Sequence, residues 1–91
     1  MKPEQFKQMV ENELAKVKDT LIIKNRKYGN SALEPKRVFS KASAKEQLLV
    51  RIDDKLSRIA NESLDEDEDV VLDLIGYLVL YKIASKISGA N

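Results

Sequence analysis

The chain has 91 residues, 43% of them hydrophobic, and its sixteen basic and fifteen acidic side chains leave a formal charge of +1. This length fits one domain with a thin core, and the balanced charge excludes a global basic field for non-specific nucleic-acid binding. Because the sequence has neither cysteine nor histidine, disulfides, thiol catalysis and the commonest transition-metal ligands are excluded. Any metal would be a hard cation such as Mg²⁺, held by oxygen atoms.

The first predicted helix covers about residues 3–27. Pro3 suits an opening helical position, and apolar residues recur along the helix with its period. The turn residues Gly29 and Asn30 end the helix, and an irregular loop with Pro35 in its middle is expected at 29–43. The apolar positions are Phe6, Val10, Leu14, Val17 and Leu21.

The end of this helix is rich in basic and turn residues, reading Lys-Asn-Arg-Lys-Tyr-Gly-Asn-Ser over residues 24–31. Backbone N–H groups exposed near Gly29, together with Lys24 and Lys27, make an anion-binding elbow plausible. Basic residues also favour helix C-termini because they complement the helix dipole. Taken alone, the pattern therefore indicates a helix end.

The second predicted helix covers residues 44–60 and opens with a capping-box pattern from Ser43 to Glu46. At about 100° per residue, three basic side chains share one flank beside the apolar stripe, with Asp54 just beyond them. This flank could neutralise carboxylates of the third helix, bind phosphate, or form an interhelical salt bridge that only fixes register. The expected core stripe is Leu49, Ile52, Leu56 and Ile59. The basic flank is Arg51, Lys55 and Arg58, with Lys55 closest to the core.

The third predicted helix covers residues 64–87 and opens with a second capping-box pattern at Ser63–Glu66. From Val70 to Tyr81 it is apolar nearly all round, which predicts a buried central helix, and Asp73 is the single charged residue in that run. An ionised carboxylate is too costly to bury alone, so Asp73 needs a cation, a metal or strong donors beside it.

Other features of the third helix have two interpretations each. Asp69 and Asp73 are four residues apart, so with Asp54 opposite they could hold Mg²⁺, although such acidic pairs are usually surface charge. Gly76 indicates close approach of another helix or of a flat ligand. Tyr77 could stack on a base or serve as a core aromatic residue. The overall prediction is a single all-α domain over residues 1–91, a bundle of three helices. We expect it to form an oligomer because its core is thin.

Three motifs in order carry a family resemblance: Lys-Asn-x-Lys-Tyr-Gly-Asn-Ser at 24–31, Arg-Ile-Asp-Asp-Lys-Leu-x-Arg at 51–58, and Glu-Asp-x-x-x-Asp-Leu-x-x-Tyr at 68–77. The pattern resembles small phage and prophage proteins related to the nucleotide-modification-associated domains. More distantly it is similar to the all-α nucleoside triphosphate pyrophosphatases of the MazG and dimeric dUTPase type. The resemblance implies an oligomeric helical bundle with a nucleotide pocket and, in the pyrophosphatases, magnesium held by acidic residues on two helices.

The chain departs from the pyrophosphatase pattern at one motif. Asp69 and Asp73 match the second acidic motif, but the first motif, a pair of glutamates one turn apart, is replaced by Asp54 and then Ser57 or Arg58. Because two-metal hydrolysis needs the fuller set of carboxylates, this departure favours nucleotide binding over catalysis.

The leading hypothesis is a phage-type nucleotide-binding protein with little or no hydrolytic activity and no cofactor. Family context extends this to sequestering a signalling nucleotide of host defence, linear or cyclic, in the host cytoplasm. The predicted ligand-binding residues are Lys24, Lys27, Tyr28, Asn30, Arg51, Lys55, Arg58, Asp73 and Tyr77.

Two alternatives stay open. One is a Mg²⁺-dependent nucleotide pyrophosphohydrolase, with Asp54, Asp69 and Asp73 as metal ligands. The other is a helical protein-interaction module that binds no small molecule. Under each of them we expect a homo-oligomer that is soluble and cytoplasmic, because the N-terminus has no apolar signal region and the apolar run at 70–81 is too short to cross a bilayer.

Overall fold

The computed structural model describes residues 1–35, 40–62 and 68–88. Its elements are three helices, α1 (Pro3–Tyr28), α2 (Ala44–Ala60) and α3 (Val70–Ile87), and the described residues contain no strand. The predicted all-α bundle is therefore confirmed. In the described part of the loop, residues 29–35 and 40–43 are non-helical, also as predicted.

The ends of α1 and α2 follow from local chemistry that the sequence already displays. Pro3 occupies the first turn of α1, and Gly29 ends the helix with a φ of 68°, a left-handed value that glycine adopts without strain. At the start of α2, Ser43 Oγ accepts a hydrogen bond from the Glu46 backbone N–H at 3.2 Å. Both boundaries lie where they were predicted, within one residue.

The predicted start of α3 at residue 64 is wrong. Glu68 and Asp69 are non-helical, and α3 begins at Val70. Asp69 is the N-cap, because its carboxylate Oδ1 accepts a hydrogen bond from the Leu72 backbone N–H at 2.9 Å. If the helix had begun a turn earlier, a backbone carbonyl would have bonded this N–H; here the Asp69 side chain takes that place. The second capping-box pattern, at Ser63–Glu66, lies outside the described residues.

The core forms where α2 packs along α3, and α1 packs on α3 without its backbone approaching that of α2. The predicted α2 stripe is right at Ile52, which is buried, and wrong at Leu49 and Leu56, which are exposed by 42% and 50%. Leu48 faces the core instead, and the Lys55 side chain, 11% exposed, follows on the same side with its aliphatic stem covered. The buried hydrophobic residues are Val17, Leu48, Ile52, Val70 and Ala84.

The prediction that α3 is buried on all sides is also corrected. It is central, since both other helices pack on it, but Val71, Ile75 and Leu78 are exposed by 52%, 37% and 45%. The molecule is elongated as well, with a radius of gyration of 15.1 Å. A compact domain of this length would have a radius of gyration of about 12 Å. No helix within the described ranges is long and apolar enough to cross a membrane.

Candidate functional site

Asp73 joins the three helices through two lysines. Its Oδ1 lies 3.3 Å from Nζ of Lys24 on α1, and its Oδ2 lies 3.6 Å from Nζ of Lys55 on α2. The Asp73 side chain is 19% exposed, so most of its surface is removed from water. Of the partners predicted for this carboxylate (a cation, a metal or strong donors), two lysine cations are present, and one of them, Lys55, comes from the predicted basic flank.

A second acidic residue, Glu68, holds the other end of that flank. Its Oε1 accepts from Lys55 Nζ at 2.6 Å and from Arg58 Nη1 at 2.8 Å, while Arg58 Nη2 lies 2.7 Å from Oε2. The hydrogen bonds from Arg58 and then Lys55 lower the pKa of Glu68 to about 2. The hydrogen bond to Glu68 in turn raises the pKa of Lys55 despite burial. Sequence reasoning assigned no role to Glu68, which it used only as the first residue of the motif at 68–77.

The basic flank is therefore divided between two tasks. Lys55 and Arg58 bind carboxylates of the same chain: the Lys55 pair with Asp73 fits the interpretation of an interhelical salt bridge, and Arg58 binds Glu68 just before α3. Arg51 instead lies over the ring of Tyr77, with its guanidinium carbon 5.8 Å from the ring centroid. Arg51 is an exposed residue.

A cavity of about 660 Å³ opens beside Asp73, between the second half of α1, the turn at 29–35, α2 and α3. It brings together six of the nine predicted ligand-binding residues. Lys55, Arg58 and Lys27 do not line it, and Lys27 Nζ lies 5.3 Å from the centroid of the Tyr28 ring. The six that line it are Lys24, Tyr28, Asn30, Arg51, Asp73 and Tyr77.

The cavity combines positive charge with an apolar wall. Among the described residues that line it, three are basic (Lys24, Arg26 and Arg51) and one, Asp73, is acidic, which gives a formal charge of 3 − 1 = +2. That local charge exceeds the +1 of the whole chain. Such a lining suits an anion that also carries a flat apolar group. The wall includes Val17, Leu21, Leu48, Leu72 and Leu80.

The turn after α1 shapes one side of the cavity. The Asn30 carbonyl accepts from the backbone N–H groups of Leu33 at 3.2 Å and Glu34 at 2.8 Å. The side-chain Oδ1 of Asn30 accepts from Asn25 Nδ2 at 3.2 Å. Asn30 thus holds the turn together. Gln47, which sequence reasoning did not select, also lines the cavity while its Nε2 donates to a backbone carbonyl at residue 42.

Gly76 lies where the Leu21 side chain of α1 packs against α3. A Cβ atom at this position would meet Leu21 Cδ2 at 3.3 Å, closer than ordinary van der Waals contact. Of the two interpretations of this glycine, close helix–helix packing is the one that the distances support, although Gly76 also lines the cavity.

The three aspartates of the metal hypothesis have different surroundings. Asp69 caps α3 and is exposed, Asp54 is exposed on α2, and Asp73 is paired with lysines. Residues 1–35, 40–62 and 68–88 contain no group of three or more acidic side chains that could hold a metal ion. This part of the chain does not fit a two-metal centre, which requires clustered carboxylates. The metal-binding role of these aspartates stays a prediction.

The site is a cleft whose charge attracts anions. In it, the Arg51 guanidinium lies over the Tyr77 ring, and the Asp73 carboxylate is held by two lysines. Its polar groups can bind and orient a ligand. Comparisons of the chain with protein-family models, with curated proteins and with solved structures found no match. The function is therefore argued from the geometry and charge of this cleft.

Proposed function

We propose that this chain is a phage-type nucleotide-binding protein that binds its ligand in the cleft and has little or no hydrolytic activity. The observation that carries the proposal is the cavity charge of +2 beside an apolar wall and the Tyr77 ring. A nucleotide matches this combination, because its phosphates are anionic and its base is flat and largely apolar. The cavity volume, about 660 Å³, lies within the range of small-molecule sites.

Arg51 and Tyr77 are the pair on which base and phosphate recognition would depend. A guanidinium stacks on aromatic faces and also binds phosphate through two parallel hydrogen bonds. With its carbon 5.8 Å from the Tyr77 centroid, Arg51 can retain the ring contact or yield that face to a base. Lys24, whose side chain is 51% exposed, supplies a second cation at the rim.

Asp73 acts in this proposal as an anchor for cations. It keeps Lys24 at the cleft and Lys55 under it through ion pairs at 3.3 and 3.6 Å. A carboxylate already committed to two lysines is poorly suited to metal binding, since a metal would have to displace both. This supports binding over pyrophosphate hydrolysis.

The proposed role is sequestration: the protein holds a nucleotide, linear or cyclic, and releases it unchanged. Support for this step comes from the absence of clustered carboxylates in the described residues and from the resemblance to small phage proteins. A host-defence signalling nucleotide is the proposed ligand class. The role requires tight binding and a chemically intact ligand, and both can be measured.

The test is a thermal-shift screen of the full chain with linear and cyclic nucleotides, with and without Mg²⁺. A ligand at about 100 times its Kd should stabilise the fold by about 2.7 kcal/mol. For a domain of this size that corresponds to a rise in Tm of at least about 10 °C. The best ligand is then measured by calorimetry, and the bound material is recovered by heat denaturation and analysed by chromatography.

The chain offers a matched control pair for the site. Lys45 lies over the Tyr81 ring with Nζ 5.4 Å from the centroid, on the same two helices, but neither residue lines the cavity. We expect Arg51→Met and Tyr77→Leu each to weaken binding about tenfold, the effect of losing about 1.4 kcal/mol. Lys45→Met and Tyr81→Leu should leave the Kd within about twofold.

Three results would overturn the proposal. Release of pyrophosphate or nucleoside monophosphate, abolished by Asp73→Asn, would establish the pyrophosphohydrolase instead. Equal losses of affinity in the Tyr77 and Tyr81 variants would place the ligand elsewhere. The absence of a thermal shift with every nucleotide would favour the helical interaction module.

A further inference from the structure

The first half of α1 carries an apolar stripe that nothing in the described structure covers. Phe6, Met9, Val10 and Leu14 are exposed by 62%, 55%, 40% and 59%, and the first buried residue of the helix is Val17. With 26 residues, α1 is roughly 39 Å long at about 1.5 Å per residue. Its first half extends beyond the bundle, consistent with a longest molecular dimension of 51 Å.

This helical arm (residues 1–16) gains too little free energy from its own hydrogen bonds to be stable in water. Isolated helices shorter than about 12–15 residues are marginal, and helices in proteins depend on packing an apolar face. The arm has such a face, with residues at positions 6, 10 and 14 continuing to the buried Val17. Its stability therefore calls for a partner surface.

The charges of the arm favour a second copy of the chain as that partner. Residues 1–16 contain three lysines and three glutamates, so their formal charge is 3 − 3 = 0. Two ion pairs lie within the arm, Lys7 with Glu11 at 3.9 Å and Lys16 with Glu13 at 3.3 Å. A neutral arm has no preference for an anionic membrane, a nucleic acid or a charged protein, and two copies do not repel each other.

We propose that the stripe of Phe6, Met9, Val10 and Leu14 packs against the same stripe of a second copy across a two-fold axis. Taking a large apolar residue as about 200 Å², the exposures of these four side chains amount to on the order of 400 Å² of surface. A stable interface buries about 800 Å² per partner, of which about 57% is apolar. The stripe thus provides nearly all the apolar area that a dimer needs, and a two-fold axis brings the same patch from both copies together.

Sedimentation velocity of the full chain from about 5 to about 200 µM tests this interface. Val10→Glu places a charge in the stripe, and Asn12→Glu places the same charge about 200° around the helix, where Asn12 is exposed and accepts from Gln8 Nε2 at 2.8 Å. We expect wild type and Asn12→Glu to associate equally. Val10→Glu should raise the dissociation constant at least tenfold.

Hydrogen exchange supplies a second readout that shows where along the chain the interface lies. Amides of residues 5–15 should gain protection with rising protein concentration in the wild type and lose that gain in Val10→Glu. Amides of α2 around Leu48 should stay protected in both, which shows that the fold is intact. Neither Val10 nor Asn12 lines the cavity, so nucleotide affinity is a separate measurement.

The inference is overturned if the wild-type chain is monomeric at the highest concentration. It is also overturned if Val10→Glu associates as strongly as the wild type, because the interface would then lie elsewhere, for example on the exposed side of α3. Binding of the arm to neutral lipid vesicles without self-association would identify a membrane surface as its partner instead.

Discussion

Asp73→Asn is the most informative single substitution, because it removes one charge without changing the shape of the side chain. At about 4 Å and an effective dielectric constant of about 20, each ion pair has a gross Coulomb energy of about 4 kcal/mol. Most of that is offset by desolvation. The Lys24 pair is further discounted because its lysine is 51% exposed, leaving at most about 1 kcal/mol.

The ion pair between Asp73 and Lys55 contributes less net free energy than the pair with Lys24. Its Nζ–Oδ2 distance of 3.6 Å is longer than a hydrogen bond, and Lys55 keeps its 2.6 Å contact with Glu68 after the substitution. We therefore expect Asp73→Asn to lower the free energy of unfolding by about 1–2 kcal/mol in total. That corresponds to a fall in Tm of roughly 4–16 °C for a domain of this size.

Urea denaturation at fixed protein concentration measures the change, with Asp53→Asn on the exposed side of α2 as the matched control. The control should alter the free energy of unfolding by less than about 0.5 kcal/mol. The Asp73 effect should shrink in high salt, since the Lys24 pair is half exposed. A loss below about 0.3 kcal/mol, equal to that of the control, would refute the role of Asp73 as an anchor of cations.

The same variant separates the proposed function from its enzymatic alternative. Loss of Asp73 raises the formal charge of the cavity lining from +2 to +3. An anionic nucleotide should consequently bind with unchanged or higher affinity, measured by calorimetry at a temperature where the variant is folded. Weaker binding would mean that the positioning of Lys24 by Asp73, or a direct contact of Asp73 with the ligand, outweighs the added positive charge.

Three further predictions concern stability. The pKa of Glu68 is lowered to about 2 from an ordinary value of 4.5. The stabilisation by the Glu68 carboxylate is therefore complete above pH 4.5 and is lost as the pH falls through about 2. Glu68→Gln should flatten the dependence of stability on pH between these two values. Gly76→Ala should raise the free energy of unfolding by up to about 1 kcal/mol, because helix propensity improves and the half-buried Leu21 tip can shift. A loss of stability in urea denaturation would instead show that Leu21 and α1 are rigidly fixed there. Leu48→Ala, at the most buried core side chain, should cost about 2–5 kcal/mol by the same measurement, whereas Val50→Ala, 68% exposed, should cost less than about 0.5 kcal/mol.

Local sequence signals were sufficient to predict the three helices and the ends of α1 and α2. Pro3, Gly29 and Ser43 mark ends whose chemistry is complete within a few residues, so α1 and α2 lie where the sequence predicts them. The apolar run with one carboxylate correctly required a cation, a metal or strong donors beside Asp73, because the cost of burying a lone charge does not depend on the fold.

Properties that depend on contacts between distant residues were decided by the tertiary structure. The sequence favoured Leu49 and Leu56 for the core, but packing against α3 selected Leu48 and turned Lys55 inward to meet Asp73 and Glu68. Periodicity defines an apolar face only to within a residue or so, and cannot show which carboxylate each cation binds.

The division of the basic flank is the clearest case of this limit. Arg51, Lys55 and Arg58 share one side of α2 by spacing alone, yet Glu68 binds the last two while Arg51 reaches the cavity over Tyr77. The sequence determined three helices, both ends of α1 and α2, and the need for a cation, a metal or strong donors beside Asp73. The fold decided which charges neutralise each other and which stay available to a ligand, because that choice depends on distances between helices.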